Sequence, residues 1–265
     1  MSSRRKERAQ TESSNDARSL LRIIGVLEFV ADRGGASATE ISEALAIPLS
    51  TVYRLLNSLA RHGYLVHLRD EQRFELGTQL HELGRALHRQ VPVHPGIREV
   101  VDSLHAAISM ASYFATYRGP DVMVAYVSDC AEHPRLELLD FGFHEAAHAT
   151  AFGKILLAGM DDDQRSEYLQ ARGVPQVTPA TITDRADLED HLGHVATQGI
   201  AWEWGEFVPG MACAAVAVRN ATGMVIGSVA ISAPMERLRV EGRRVEAQLR
   251  AHAGQASRIV RQARH

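Results

Sequence analysis

Between Ser37 and Leu76 the chain carries a run of signals that leaves few folds open. Ser37 followed by Glu40 has the S-x-x-E spacing of a capping box, which closes the first turn of a helix. Ile41, Ala44 and Leu45 then recur on one helical face. Ala46-Ile47-Pro48 interrupts the pattern. Proline is disfavoured inside a helix but suits its first position, so Pro48 is expected to start a second helix. Val52, Leu55, Leu56 and Leu59 form the buried stripe of that helix. His62-Gly63 ends it, because glycine supplies the left-handed residue after a helix C-terminus. Tyr64, Val66 and Leu68 alternate with Leu65, His67 and Arg69. Asp70-Glu71-Gln72 makes a turn, and Arg73-Phe74-Glu75-Leu76 returns as the second strand of a short hairpin. Upstream, Leu20, Ile23, Ile24, Leu27 and Val30 mark a preceding helix.

Helix, tight turn, helix, hairpin is the order of a winged helix-turn-helix, whose second helix fits the major groove of DNA. The outward face of that helix would carry Leu49, Ser50, Thr51, Tyr53, Arg54 and Asn57, with no acid among them. A face meant only for water usually includes Asp or Glu. Next to a helix N-terminus, an acid-free face suits phosphate oxygens and base edges. Arg69 and Arg73 flank the hairpin tip, within reach of backbone phosphates. The candidate DNA-binding residues are therefore Pro48, Leu49, Ser50, Thr51, Tyr53, Arg54, Asn57, Arg69 and Arg73. A three-helix domain that binds only protein is the competing reading, and the acid-free face weighs against it.

At 265 residues the chain is long enough for two domains. Its net charge of −3 is unevenly spread. Residues 1–90 hold 13 Lys and Arg against 11 Asp and Glu, whereas residues 91–265 hold 16 against 21. The half with the reading helix is the positive one, by a small margin. Two cysteines, Cys130 and Cys213, make no disulfide framework and point to a reducing, cytoplasmic setting. No apolar run is long enough to span a membrane. Residues 1–15 are polar and charged and read as a disordered tail; 16–77 form the DNA-binding domain, 78–93 a linker helix, and 94–265 the second domain.

That second domain opens with a helix bearing Ile97, Val100, Val101 and Leu104. Strand-like runs follow at Ser112–Tyr117, Val122–Val127 and Leu136–Phe141. Helices are expected over Ala149–Gly159, Asp161–Ala171 and Arg185–Thr197. Strands at Ala201–Glu206, Cys213–Val218 and Val225–Ser232 precede a long closing helix, Glu236–Arg264. This succession indicates an α+β domain with an antiparallel sheet, one face covered by helices and the other forming a pocket under loops. Two segments suit a pocket. His148 to Lys154 puts small residues at the opening of a helix, where free N–H groups attract an anion. Phe207 to Cys213 is a flexible loop entering a strand, and Ser232 ends a neighbouring one. Cys213, His148 and Glu206 are the obvious trio for nucleophilic or metal chemistry, but buried cysteine is by default an inert wall. No C-x-x-C pair occurs. The reading is of no catalytic residues, no metal and no cofactor.

These residues make the chain resemble the IclR family of bacterial transcription regulators, from about Asp16 to Arg258. The resemblance rests on Pro48-x-Ser50-Thr51-Val52-Tyr53-Arg54-Leu55-Leu56 with Gly63-Tyr64, and Phe74-x-Leu76-Gly77. It continues in His148-Ala149-Thr150-Ala151-x-Gly153-Lys154, Thr178-Pro179-x-Thr181-Ile182-Thr183, and Glu206-x-x-Pro209-Gly210-Met211-x-Cys213-Ala214-Ala215. It implies a winged-helix reader, a linker helix and a GAF-like effector-binding domain, in dimers or tetramers that bind palindromic operators as repressors or activators. It further implies a small organic acid or aromatic catabolite as effector, in a pocket at Thr150, Ala151, Phe152, Glu203, Met211, Cys213, Ala230 and Ser232. Phe152 stands where relatives often carry a smaller residue, and Ala230 where they carry serine. With Trp202 and Trp204 flanking Glu203, these departures tilt the expectation towards an aromatic or larger ligand.

Overall fold

The computed structural model describes residues 2–139, 141–143 and 146–263. The chain divides into two compact units, residues 1–90 and 91–265. In the first, α1 (Ser2–Arg33) precedes α2 (Ala38–Ala44) and α3 (Leu49–Arg61), then strands β1 (Leu65–Leu68) and β2 (Arg73–Leu76), then α4 (Thr78–Gln90). The capping box forms as its spacing predicts: Ser37 Oγ accepts the Glu40 N–H, and Glu40 accepts the Ser37 N–H at 2.8 Å. Pro48 is the residue before α3 rather than its first turn; its ψ of 134° is extended, and the Val52 N–H donates to its carbonyl. After α3, Gly63 takes φ of 75° while the Tyr64 N–H reaches back to the Leu59 carbonyl. Val26, Val30, Ile41, Val52, Leu56, Leu65 and Phe74 close one small core.

Residues 2–15, expected as a disordered tail, are helical here as the first turns of α1. No proline or glycine occurs before Gly25, so nothing in this segment breaks a helix.

The second unit is a six-stranded antiparallel sheet between two helical layers. Its helices are α5 (Pro95–Ile108), α6 (Ala151–Gly159), α7 (Asp162–Arg172), α8 (Arg185–Gln198) and α9 (Met235–Gln262). Its strands are β3 (Ala111–Arg118), β4 (Asp121–Ser128), β5 (Gly142–Phe143), β6 (Ile200–Trp204), β7 (Met211–Arg219) and β8 (Val225–Pro234). The order across the sheet is β5-β4-β3-β8-β7-β6, every pair antiparallel. The architecture is mixed α+β.

Helices cover both faces, not one. Alternation along the strands sends Phe114, Ala214, Val229 and Ile231 to the α5–α9 side. It sends Tyr113, Ala115, Cys213, Ala215 and Ala230 to the α6–α8 side. Arginines of α9 fasten the first layer. Arg237 donates to the carbonyls of Ile108 and Ser109, and Arg244 to that of Ala107. These bonds satisfy carbonyls at the α5 C-terminus with positive charge where the helix dipole is negative.

The run Leu136–Phe141 is not a strand. Glu137–Leu139 is a turn of 3-10 helix, and β5 is only the two residues Gly142–Phe143 beyond it. Leu139 is buried while Leu138 is exposed, a spacing of three from Leu136 that the apparent alternation conceals. The Leu136 N–H donates to the Tyr113 hydroxyl instead of joining a ladder.

Candidate DNA interface and effector chamber

Helix α3 is built from two faces. Val52, Leu56 and Leu59 are buried; Pro48, Leu49, Ser50, Tyr53, Arg54 and Asn57 are exposed, and Thr51 is half-buried. Its N-terminus has neither a side-chain cap nor an acid in its first turn. The amides there are therefore open to an anion, which is what a phosphate contact needs. Arg69, at the hairpin tip, is exposed.

Arg73 differs from the expectation. Its guanidinium donates to the Gly35 carbonyl at 2.5 Å, tying β2 to the connection between α1 and α2. Ala36 and Phe74 form a bridge beside it. Arg73 thus holds the hairpin with one of its N–H groups, and its half-exposed guanidinium keeps further donors.

In the second unit, strand register brings distant residues into rows. Glu203 pairs with Cys213, Cys213 with Ser232, and Ser232 with Ala111. In the next row on the same face, Ala201 pairs with Ala215, Ala215 with Ala230, and Ala230 with Tyr113. Ala151 and Phe152, from the first turn of α6, pack over these rows. The expected chamber residues thus converge on one face from three strands and the start of a helix. Met211 enters the same face at the start of β7 and is half-buried.

Their chemistry is largely internal. Glu203 is buried and accepts the N–H groups of Glu206 and of Phe207, the latter at 3.1 Å. Burial pushes the Glu203 carboxyl above its ordinary pKa, partly offset by those bonds and by the Cys213 thiol. Burial, reinforced by the Glu203 carboxylate, holds the Cys213 thiol well above its usual range. A thiol so disposed is a wall, not a nucleophile. His148 faces the Pro175 carbonyl at 2.9 Å. Thr150 caps α6, accepting the Gly153 N–H at 3.2 Å, so the free amide end expected there is partly closed.

Trp202 and Trp204 stack on each other at 5.6 Å but do not line the chamber. They alternate with Glu203 along β6 and so lie on the opposite face, where Trp202 packs into the α5–α9 core. The aromatic bulk comes from Phe152 and from a residue that no sequence motif singles out, Tyr113, which is wholly buried. Its hydroxyl meets Ser232 Oγ at 2.8 Å.

A second feature is a buried ion pair, whose partners stand in two quoted motifs but whose pairing no spacing announces. Lys154 Nζ lies 2.5 Å from Glu206 Oε1, and the lysine side chain is completely enclosed. Thr178 and Thr181, two of the three threonines in the Thr178–Thr183 motif, hold the Glu206 carbonyl. His144 and His148 stand at four-residue spacing, a separation that can present two metal ligands from one helix. His144 and Glu145 lie outside the described residues. Among the described residues no group of three potential metal ligands gathers.

His191, on α8, feels this ion pair. Its Nε2 is buried with no hydrogen-bond partner. Burial, then the charge of Lys154, pushes its pKa down to about 4 from 6.5. Between those values the unfolded chain binds the proton and the folded chain does not, so stability falls as pH drops from 6.5 to 4. After allowance for partial exposure, the loss expected from this group is about 1–2 kcal/mol. His191→Leu should flatten that part of the pH–stability curve, which urea unfolding at pH 7 and pH 4.5 checks. An unchanged slope would contradict the assignment.

The pattern of the IclR helix-turn-helix domain matches residues 19–69, and that of the IclR C-terminal domain of bacterial transcriptional regulators matches residues 86–258. The chain belongs to the IclR family of bacterial transcriptional regulators. It is a DNA-binding regulator with an effector-binding domain, not an enzyme. A similar protein is the regulator BhcR of Paracoccus denitrificans, 27% identical over 228 residues, covering 86% of this chain and 81% of that one. A transcriptional regulator from Rhodococcus sp. RHA1 has a similar fold, with a TM-score of 0.71 at 23% identity over 92% of this chain and 98% of its own. An IclR homolog from Microbacterium hydrocarbonoxydans, solved with 4-hydroxybenzoate, has a TM-score of 0.67 at 24% identity, covering 90% and 97%. No described helix is long and apolar enough to cross a membrane.

Proposed function

We propose that this regulator binds a palindromic operator as a homodimer, paired further into a tetramer, and that a small organic or aromatic acid in the chamber sets its affinity for DNA. The observation that carries the DNA half is the exposed, acid-free and uncapped start of α3. Ser50, Thr51, Tyr53, Arg54 and Asn57 enter the groove or grip its edges, with Pro48, Leu49 and Arg69 beside them. A reader of this size sees few base pairs, so useful specificity needs two copies on a symmetric site. The convergence of Thr150, Ala151, Phe152, Glu203, Met211, Cys213, Ala230 and Ser232 around one sheet face supports the effector half. Of these, Ser232 and the walls Ala151, Phe152, Met211 and Ala230 meet the ligand, while Glu203 shapes the loop after β6. Occupancy alters the spacing of the two reading helices through α4, by the difference in effector affinity for the two spacings.

A duplex enriched from a random-sequence library by the wild-type protein serves as the operator. Arg54→Ala is expected to weaken binding to it by about 10- to 100-fold in a gel-shift titration, with no change in any ligand-induced thermal shift. Ser232→Ala should reduce any ligand-induced thermal shift. Unchanged operator affinity in Arg54→Ala would show that the reading face is wrongly assigned.

A further inference from the structure

A phenol of the chain's own lies among the residues expected to hold the effector. Tyr113 projects from β3 over Ala230 and the row of alanines beyond it, with no exposed surface. Its oxygen lies 2.8 Å from Ser232 Oγ and accepts the Leu136 N–H at 3.2 Å. These two groups have different origins. Ser232 lies near the end of β8 on the chamber floor, while Leu136 opens the 3-10 turn in the connection after β4. One hydroxyl therefore holds a strand and a loop together within the buried cluster that Tyr113 shares with Ala151, Phe152, Cys213 and Ala230. A buried hydroxyl that gives up such partners must find others or lose their energy. A ligand that reaches Ser232 must therefore offer them an equivalent oxygen.

We infer that Tyr113 is an internal occupant of the effector chamber, and that the effector acts by taking over its two hydrogen bonds. This rests on the reading of that chamber as the effector site. It makes Tyr113 the specificity-determining residue. The effector class it selects is a flat molecule presenting a phenol or carboxylate oxygen to Ser232 Oγ and the Leu136 N–H. Displacing the phenol frees the connection after β4 and disturbs β3, the strand that directly follows α5. The hydroxyl's bond to the Leu136 N–H ties the ring to the connection after β4, and its release is how occupancy would be reported.

The test uses the full-length chain, the enriched duplex, and two probes: 4-methylphenol, which is the tyrosine side chain cut at Cβ, and 4-hydroxybenzoate. Tyr113→Phe removes one oxygen and little volume. It should shift operator affinity without ligand by about 5-fold or more, in the direction that effector shifts the wild type. Tyr113→Ala should shift it the same way. In Tyr113→Ala, 4-methylphenol should raise the melting temperature and return operator affinity towards the wild-type value. Wild-type affinity in both variants would reduce Tyr113 to a core side chain and overturn the inference. So would stabilisation of Tyr113→Ala by 4-methylphenol with no effect on DNA binding. Should Tyr113→Ala fail to fold, Tyr113→Phe decides alone. If 4-hydroxybenzoate or any other compound shifts operator affinity equally in wild type and Tyr113→Phe, the chamber reading stands and this inference falls. If a compound that stabilises the wild type never alters its DNA binding, the chamber reading itself fails.

Discussion

Lys154→Met is expected to destabilise the second unit by about 3–5 kcal/mol. The ammonium is completely enclosed and pairs with Glu206 at 2.5 Å, while Glu206 Oε2 is buried without a hydrogen-bond partner. Removing the cation strands a buried carboxylate. A loss of that size lowers the melting temperature of a unit this long by about 6–20 °C. The chain's two tryptophans, Trp202 and Trp204, both lie in this unit, so their fluorescence follows it alone. The double variant Lys154→Met, Glu206→Met should recover most of the loss, because a buried pair is often matched by well-packed apolar residues. The backbone of Glu206 keeps its bonds to Glu203, Thr178 and Thr181 in either variant. If Lys154→Met alone melts like the wild type, the pair does not support the fold.

Gly153→Ala is the second large effect. A Cβ at this position would lie 2.1 Å from the Ala147 carbonyl oxygen and 2.6 Å from its carbon. Both are backbone atoms, so no side chain can turn aside. Either α6 or the 3-10 turn at Ala147–Ala149 must shift. Overpacking of this kind costs about 3 kcal/mol, near 6–12 °C in the same fluorescence melt. The shift would also carry Phe152 and Lys154, which flank Gly153 in α6, so effector response should be lost in the fraction that folds. A melting temperature within a degree of wild type would rule out so close an approach of α6 to Ala147.

What can be read from the sequence is local. Ser37 with Glu40, the stripe from Val52 to Leu59, and Gly63 after α3 are decided within a few residues, so propensity and spacing suffice. Five of the six strands of the sheet announce themselves as alternating or apolar runs. The exception lies around Leu136–Phe141, which alternates in composition but turns with a three-residue repeat, because Leu136 and Leu139 serve the core and Leu136 serves Tyr113. The family resemblance names the chamber positions, yet not what fills them. Tyr113 meets Ser232 across 119 residues of sequence, and Lys154 meets Glu206 across 52; sheet order and loop closure decide both. Adjacency to Glu203 suggests the chamber for the two tryptophans, and strand alternation puts them on the other face. Arg73 is drawn to Gly35 by a contact that nothing near it in the sequence announces.

Operator recognition by this chain depends on a groove-sized helix, exposed and free of acids, that distinguishes one base sequence from another. A fluorescence-anisotropy titration decides it, with the wild-type protein against the enriched duplex and against a random-sequence duplex of equal length, both in about 150 mM salt. A preference of about 1,000-fold or more for the enriched duplex is expected. Equal affinity for the two would contradict it.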